Sequence, residues 1–263
     1  LLAVSLYIRL RMAESPLFAR ARADGKTSTN PIKESFTNPL NLRYVLVALF
    51  GATAGQGVVW YTGQFYALTF LQATLKMDWK TAYILMSVAL AVGTPLFVVF
   101  GALSDRWGRK RIMLSGCALA LCTYWPIFMG LRHFTNPSGL PAANPEEINH
   151  LAVVLLLTLQ MVYVAMVYGP IAAFLVELFP TRIRYTSMSL PYHLGNGWFG
   201  GFLPLIATAV TASGWARETF GEHAIYTGLL YPMGICLVTL LVGGRFIKET
   251  KDHKMDVDLP HGT

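Results

Sequence analysis

Residues 81–111 read TAYILMSVALAVGTPLFVVFGALSDRWGRKR. From Thr81 to Leu103 the stretch carries no charge, and it then turns abruptly to Asp105, Arg106, Arg109, Lys110 and Arg111. A helix rises about 1.5 Å per residue, so about 20 apolar residues cross a hydrocarbon core of about 30 Å. The block is long enough to cross, and the charges mark where it leaves the bilayer. The same test, carried outward, finds apolar blocks at 44–71, 111–131, 150–178, 186–211 and 224–246. Six membrane helices are therefore expected. Residues 1–10 read as the end of a truncated seventh helix, so the chain is expected to be part of a longer protein. A polar cytoplasmic linker follows at 11–42, with room for one short interfacial helix. The six-helix unit occupies 43–247 and a cytoplasmic tail 248–263.

Composition agrees. The 263 residues are 54% hydrophobic and 13% charged, about half the charge of a soluble domain. Mean hydropathy is +0.47. The net charge of +7 is not the mark of a nucleic-acid partner, because the basic residues sit in the gaps between apolar blocks. Of the 21 Lys and Arg, 17 fall on one side: in 9–43, 104–111, 182–184 and from 245 onward. Lys76, Lys80, Arg132 and Arg217 fall on the other. The positive-inside rule makes the first side cytoplasmic, with both termini of the six-helix unit inside. Cys117, Cys122 and Cys236 lie inside apolar blocks at no metal-ligand spacing, so no metal is expected. Prolines 95, 126, 170, 191, 204 and 232 lie within blocks and are expected to kink them.

Two motifs carry most of the information. In Gly101-Ala-Leu-Ser-Asp105-Arg106-Trp-Gly108-Arg109-Lys110-Arg111, Gly101 permits close helix approach and Gly108 a tight turn. Asp105 is placed to cap the next helix, where its charge meets the positive dipole end. In Glu177-Leu-Phe-Pro180-Thr181-Arg182-Ile-Arg184, Glu177 lies about a turn inside the membrane edge and needs a cation. Arg109, Arg106 and Arg184 are the available ones. The first motif resembles the signature loop of the major facilitator superfamily at every specified position. The second resembles the E-x-F-P-T-x-x-R element of its sugar-porter and metabolite:proton symporter branches, and Glu14-Ser15-Pro16 resembles an element after the sixth helix of that branch. Those likenesses imply the C-terminal half of such a transporter in a bacterial inner membrane, with the N-terminal half missing. Glu177 and the basic residues Arg106, Arg109, Arg182 and Arg184 then form a gate latch; a static edge pair is the plainer reading.

The resemblance also implies that helices 44–71 and 150–178 line a central cavity, flanked by 186–211. Thr53, Gln56, Trp60 and Gln64 step by 3, 4 and 4 along the first, with Tyr61 beside them. Gln160 and Tyr163 share a face of the fourth; Ser189, His193, Asn196 and Gly200 form a stripe on the fifth. Each stripe serves equally as interhelical glue, worth about 0.6 kcal/mol per hydrogen bond. His193 is open to two readings, proton carrier or packing residue. Gly51-x-x-x-Gly55 and Gly197-x-x-x-Gly201 are expected to pack helices closely. Helix 111–131, with little polarity at mid-membrane, suits a lipid-facing support role.

No Asp, Glu, Lys or Arg lies near mid-membrane in the six blocks. A proton carrier, or an arginine for an organic anion, belongs to the missing half; an aromatic wall from Trp60, Tyr61, Tyr66 and Trp198 suits a betaine-like cation. The expected function is proton-coupled secondary transport of a small organic metabolite by alternating access. The alternative is a non-transporting six-helix membrane sensor or assembly module. No nucleophile elbow, phosphate loop or cofactor fingerprint is present, so neither an enzyme nor a cofactor is expected.

Overall fold

The computed structural model describes residues 2–12, 16–25, 28–139 and 141–251, and every regular element among them is helical. Short helices come first: α1 (Leu2–Arg11), α2 (Pro16–Ala23) and α3 (Pro31–Thr37). Long ones follow: α4 (Pro39–Thr74), α5 (Trp79–Trp107), α6 (Arg109–Thr135) and α7 (His150–Leu178). The bundle is completed by α8 (Arg184–Leu194), α9 (Leu203–Ala212), α10 (Gly214–Phe220) and α11 (Leu230–Phe246). A 3₁₀ stretch, Gly221–Leu229, joins the last two. Among the described residues five helical units are long and apolar enough to cross a membrane: α4, α5, α6, α7 and Gly214–Phe246.

Side-chain caps set several helix starts outside the apolar blocks. Asn38, Asp78 and Asn149 accept hydrogen bonds from the backbone N–H of Leu40, Thr81 and Ala152 at 2.9–3.1 Å. Each satisfies a donor that the first turn leaves orphaned.

The fifth expected span is not one uninterrupted helix. Residues Gly195–Gly200 are π-helical, and a turn at Gly201–Phe202 precedes α9. Pro204, at the start of α9, has no N–H to continue the ladder. Two further expectations are corrected. The gap between the blocks 186–211 and 224–246 is largely helix, because Ser213 caps α10 and Phe220 packs on its neighbours, its ring 5.4 Å from Trp215 and 6.3 Å from Trp125 of α6. The linker holds two short helices, not one. Glu14 and Ser15, and the tail beyond Lys251, lie outside the described residues.

Lipid offers helices no hydrophobic reason to associate, so close packing at small residues matters most. Helix α4 is the hub, with 72% of its most apolar window buried. At Gly51 it meets α11 so closely that a Cβ would stand 3.1 Å from Gly243 Cα. At Gly57 a Cβ would strike the carbonyl oxygen of Gly195. The second expected glycine pair does not pack: Gly197 faces open space, and a Cβ on Gly201 would meet its own preceding turn. Helix α6 has both an inward and an outward face, with 44% of its most apolar window buried. Its Tyr124 and Phe128 are fully buried, whereas α5 is the most exposed span, with 22% of its window buried.

The bundle has two distinct ends. At one, Ala143 N–H donates to Leu75 O (3.2 Å) and Asn149 N–H to Phe134 O (2.9 Å). At the other lie the basic loops, and α3 docks on α8 there. Ser35 and Ser187 hydroxyls are 2.8 Å apart, and Arg182 Nη2 is 2.7 Å from Glu34 Oε1.

Candidate functional site

Near the middle of α4, Gln56 is 1% exposed and makes a reciprocal amide pair with Asn196. Gln56 Nε2 donates to Asn196 Oδ1 and Asn196 Nδ2 to Gln56 Oε1, both at 3.0 Å. Asn196 Nδ2 also donates to Tyr192 O at 3.0 Å. The Tyr192 hydroxyl is 2.7 Å from that of Tyr168 on α7, whose ring lies 4.5 Å from Trp60 and 5.8 Å from Phe97. A polar and aromatic cluster thus joins α4, α5, α7 and the α8–π segment. One turn away, Thr53 donates to Pro191 O (2.7 Å).

The other expected site residues are distributed differently. Gln160 is wholly buried beside Gly63, and neither its amide nitrogen nor its amide oxygen has a hydrogen-bond partner. Tyr163 turns to α6, where it accepts from Thr123 Oγ1 at 3.0 Å. Tyr61 stacks on Phe65 at 5.1 Å and Gln64 is half-buried. His193 is exposed, with its ring edge-on to Tyr192. Trp198 is also exposed, and Tyr66 is buried against Phe128, so these two do not join Trp60 in one wall. Tyr168 and Tyr192 escaped the sequence reading, although Tyr192 is one turn before Asn196.

The second constellation lies at the basic end. The guanidinium of Arg109 is held between three side chains. Nη2 is 3.0 Å from Glu177 Oε1 and Nε 3.4 Å from Oε2; Nη1 donates to Ser104 Oγ at 2.7 Å and meets Asp105 Oδ1 at 2.5 Å. Arg109 and Glu177 side chains are 10% and 7% exposed, so this is a nearly buried ion pair. Of the three cations available to Glu177, the fold selects Arg109. Arg184 Nε instead donates to Phe179 O (3.0 Å), and Arg182 pairs with Glu34. Arg106 is exposed. The close approach of α5 and α7 needs glycine at Gly169, whose Cβ would stand 3.0 Å from Phe97 O and 3.1 Å from Gly101 N, whereas one on Gly101 would meet only Gly169 O at 3.9 Å.

Asp105 does not cap α6. It points back to Arg109 and is 60% exposed. The acceptor at the α6 N-terminus is Glu249, from the far end of the chain: its Oε1 takes the Arg109 N–H at 2.7 Å. A carboxylate there meets the positive end of the helix dipole. Gly108, at φ +111°, makes the turn, and its missing side chain leaves the room Glu249 occupies. Thr250 Oγ1 donates to Glu177 Oε2 at 2.6 Å, and Lys251 Nζ to Arg106 O at 3.0 Å. The segment after α11 is therefore a strap across the loop. Nothing in local spacing links residues 109 and 249, so the expectation of a cytoplasmic tail at 248–263 carries no sign of this contact.

The helices are those of a multi-pass membrane protein, with an uncharged polar cluster along α4 and a nearly buried ion pair at the basic end. A family model described as sugar (and other) transporter matches residues 13–256, and the chain belongs to that family, within the major facilitator superfamily. It is similar to the inner membrane metabolite transport protein YhjE of Escherichia coli K12, at 26% identity over 92% of this chain and 51% of the relative. A putative proline/betaine transporter of Staphylococcus aureus is 25% identical over 96% of this chain and 50% of its own length. A citrate-proton symporter of Klebsiella pneumoniae is 31% identical over 68% of this chain and 37% of its own length. These relatives are transporters, not enzymes. The chain spans about half the length of the first of them.

Proposed function

We propose that this chain is the C-terminal half of a secondary transporter that moves a small organic metabolite, a carboxylate or a betaine-like zwitterion, by proton-coupled alternating access. Six passes make up the half, with the interrupted path from Arg184 to Ala212 as the fifth, and residues 11–42 link it to the other half. The substrate face consists of Gln56, Trp60, Tyr61, Gln64, Gln160, His193 and Asn196, while Tyr163, turned to α6, supports it from behind. Protons and any charge that recognises the substrate come from the other half.

The observation that carries this reading is Gln160. A buried carboxamide lacking both hydrogen bonds costs about 1–3 kcal/mol per orphaned group, a cost that packing alone has no use for. In a transporter the same group is satisfied by a polar substrate or by the water that replaces it. Gln160→Leu in the full-length protein is therefore expected to preserve or raise thermal stability while reducing uptake at least about tenfold. The assay is uptake of labelled citrate, proline and glycine betaine into proteoliposomes, with and without an imposed pH gradient. Unchanged uptake, with stability raised, returns Gln160 to packing. Failure to take up any solute of either class refutes the substrate assignment.

Orientation follows the 17-to-4 split of basic residues. A cysteine at Ser138 should react with an impermeant maleimide from outside intact cells. One at Ser28 should react only after permeabilisation. The reverse pattern inverts the topology.

A further inference from the structure

Beside the latch, outside the polar cluster, a groove of about 1250 Å³ opens between the start of α6, the end of α5 and the end of α11. That exceeds the roughly 300–1,000 Å³ of ordinary small-molecule pockets. Its floor is apolar, from Phe100, Leu103, Leu114 and Leu240. Among the described residues its lining carries four cations, Lys110, Arg111, Lys248 and Lys251, and one carboxylate, Glu249. That carboxylate is already engaged by the Arg109 N–H. Lys110 Nζ donates to Gly244 O at 2.8 Å and Lys251 Nζ to Arg106 O at 3.0 Å, which fixes two ammonium groups at the rim with N–H donors to spare. Arg111 is exposed and makes no ion pair or hydrogen bond among the described residues. Trp107, at the same rim, is 61% exposed, as an interfacial tryptophan is.

Leu240 lies seven residues below Ile247 along the chain, about 10 Å down the helix, so the floor reaches from the headgroup level into the hydrocarbon. We infer that this groove is a binding site for an anionic glycerophospholipid, its phosphate on the four-cation rim and an acyl chain on the apolar floor. Neither a soluble anion nor a neutral lipid uses both surfaces. Basic pockets between membrane helices at the cytoplasmic edge recognise such headgroups. The site needs no assumption about what the transporter carries.

Native mass spectrometry of the full-length protein in detergent tests it. The probes are phosphatidylglycerol, phosphatidylcholine with the same chains, and sn-glycerol 3-phosphate. Phosphatidylglycerol should be retained at least about tenfold over phosphatidylcholine, and Arg111→Gln with Lys248→Gln should remove roughly tenfold or more of that preference. Arg111→Lys should keep it, which separates charge from folding. Ser115→Trp, on an exposed position lining the groove, should reduce retention of the lipid by filling the floor. Equal retention of the two lipids overturns the proposal, as does a preference that survives the double substitution or full retention in Ser115→Trp. Competition by glycerol phosphate as effective as by the lipid also overturns it, since the floor would then contribute nothing.

Discussion

Arg109→Gln is expected to lower the melting temperature of the full-length transporter and cut uptake by roughly a hundredfold. Glu177 is 6% exposed, and this substitution leaves its carboxylate at the membrane edge with a hydroxyl from Thr250 but no cation. Stranding one member of a buried pair costs about 3 kcal/mol at the lower end of the measured range, and each 1.4 kcal/mol is about tenfold. Glu177→Gln should be milder. The amide still accepts from Thr250, and Arg109 keeps Ser104 and Asp105. The double variant should recover part of the loss of Arg109→Gln, because it removes the stranded charge. A cysteine at Ser189 reports the conformational consequence: if the pair closes the basic end, Glu177→Gln raises its modification from that side. Wild-type uptake and accessibility in both single variants would reduce the latch to a static edge pair.

Gly57→Val should be comparably damaging for a different reason. A Cβ at Gly57 meets the backbone oxygen of Gly195, which no rotamer change removes. The α4–α8 spacing must widen, at a cost of about 1–3 kcal/mol or more, and the Gln56–Asn196 pair one residue away is pulled apart. Gly197→Val is the control, since Gly197 faces open space in the same π segment. Matching losses of yield and uptake in the two variants would show that glycine matters there for helix flexibility rather than contact.

Much of the fold was legible because a membrane helix advertises itself by length and by the absence of charge. Block 150–178 coincides with α7, and blocks 81–103 and 111–131 lie within α5 and α6, which run further because their ends are polar or charged. The fifth block misled because hydropathy does not register Pro204 or the π turns at Gly195–Gly200. The same widening occurs in α4 at Leu49–Thr53, Thr62–Tyr66 and Phe70–Thr74. Each such turn adds a residue and rotates the face, so a stripe drawn at a period of 3.6 drifts. That is why Gln56 and Asn196 meet while His193, on the same drawn stripe, is exposed. The cation for Glu177 could be narrowed to three arginines by sequence, but choosing Arg109 required knowing which helix ends abut.

The strap has a consequence for biogenesis. The Arg109 N–H finds its acceptor 140 positions later in the chain, and Glu177 its hydroxyl donor 73 positions later. At roughly 5–20 residues per second, the start of α6 waits about 7–28 s after synthesis for the carboxylate that completes its first turn. Until residues 249 and 250 emerge, the first turn of α6 lacks its acceptor and the Glu177 carboxylate lacks its hydroxyl donor. These two contacts therefore form only after α11 has been made. A nascent chain stalled before Glu249 would present an uncapped helix start beside a carboxylate that lacks its hydroxyl donor.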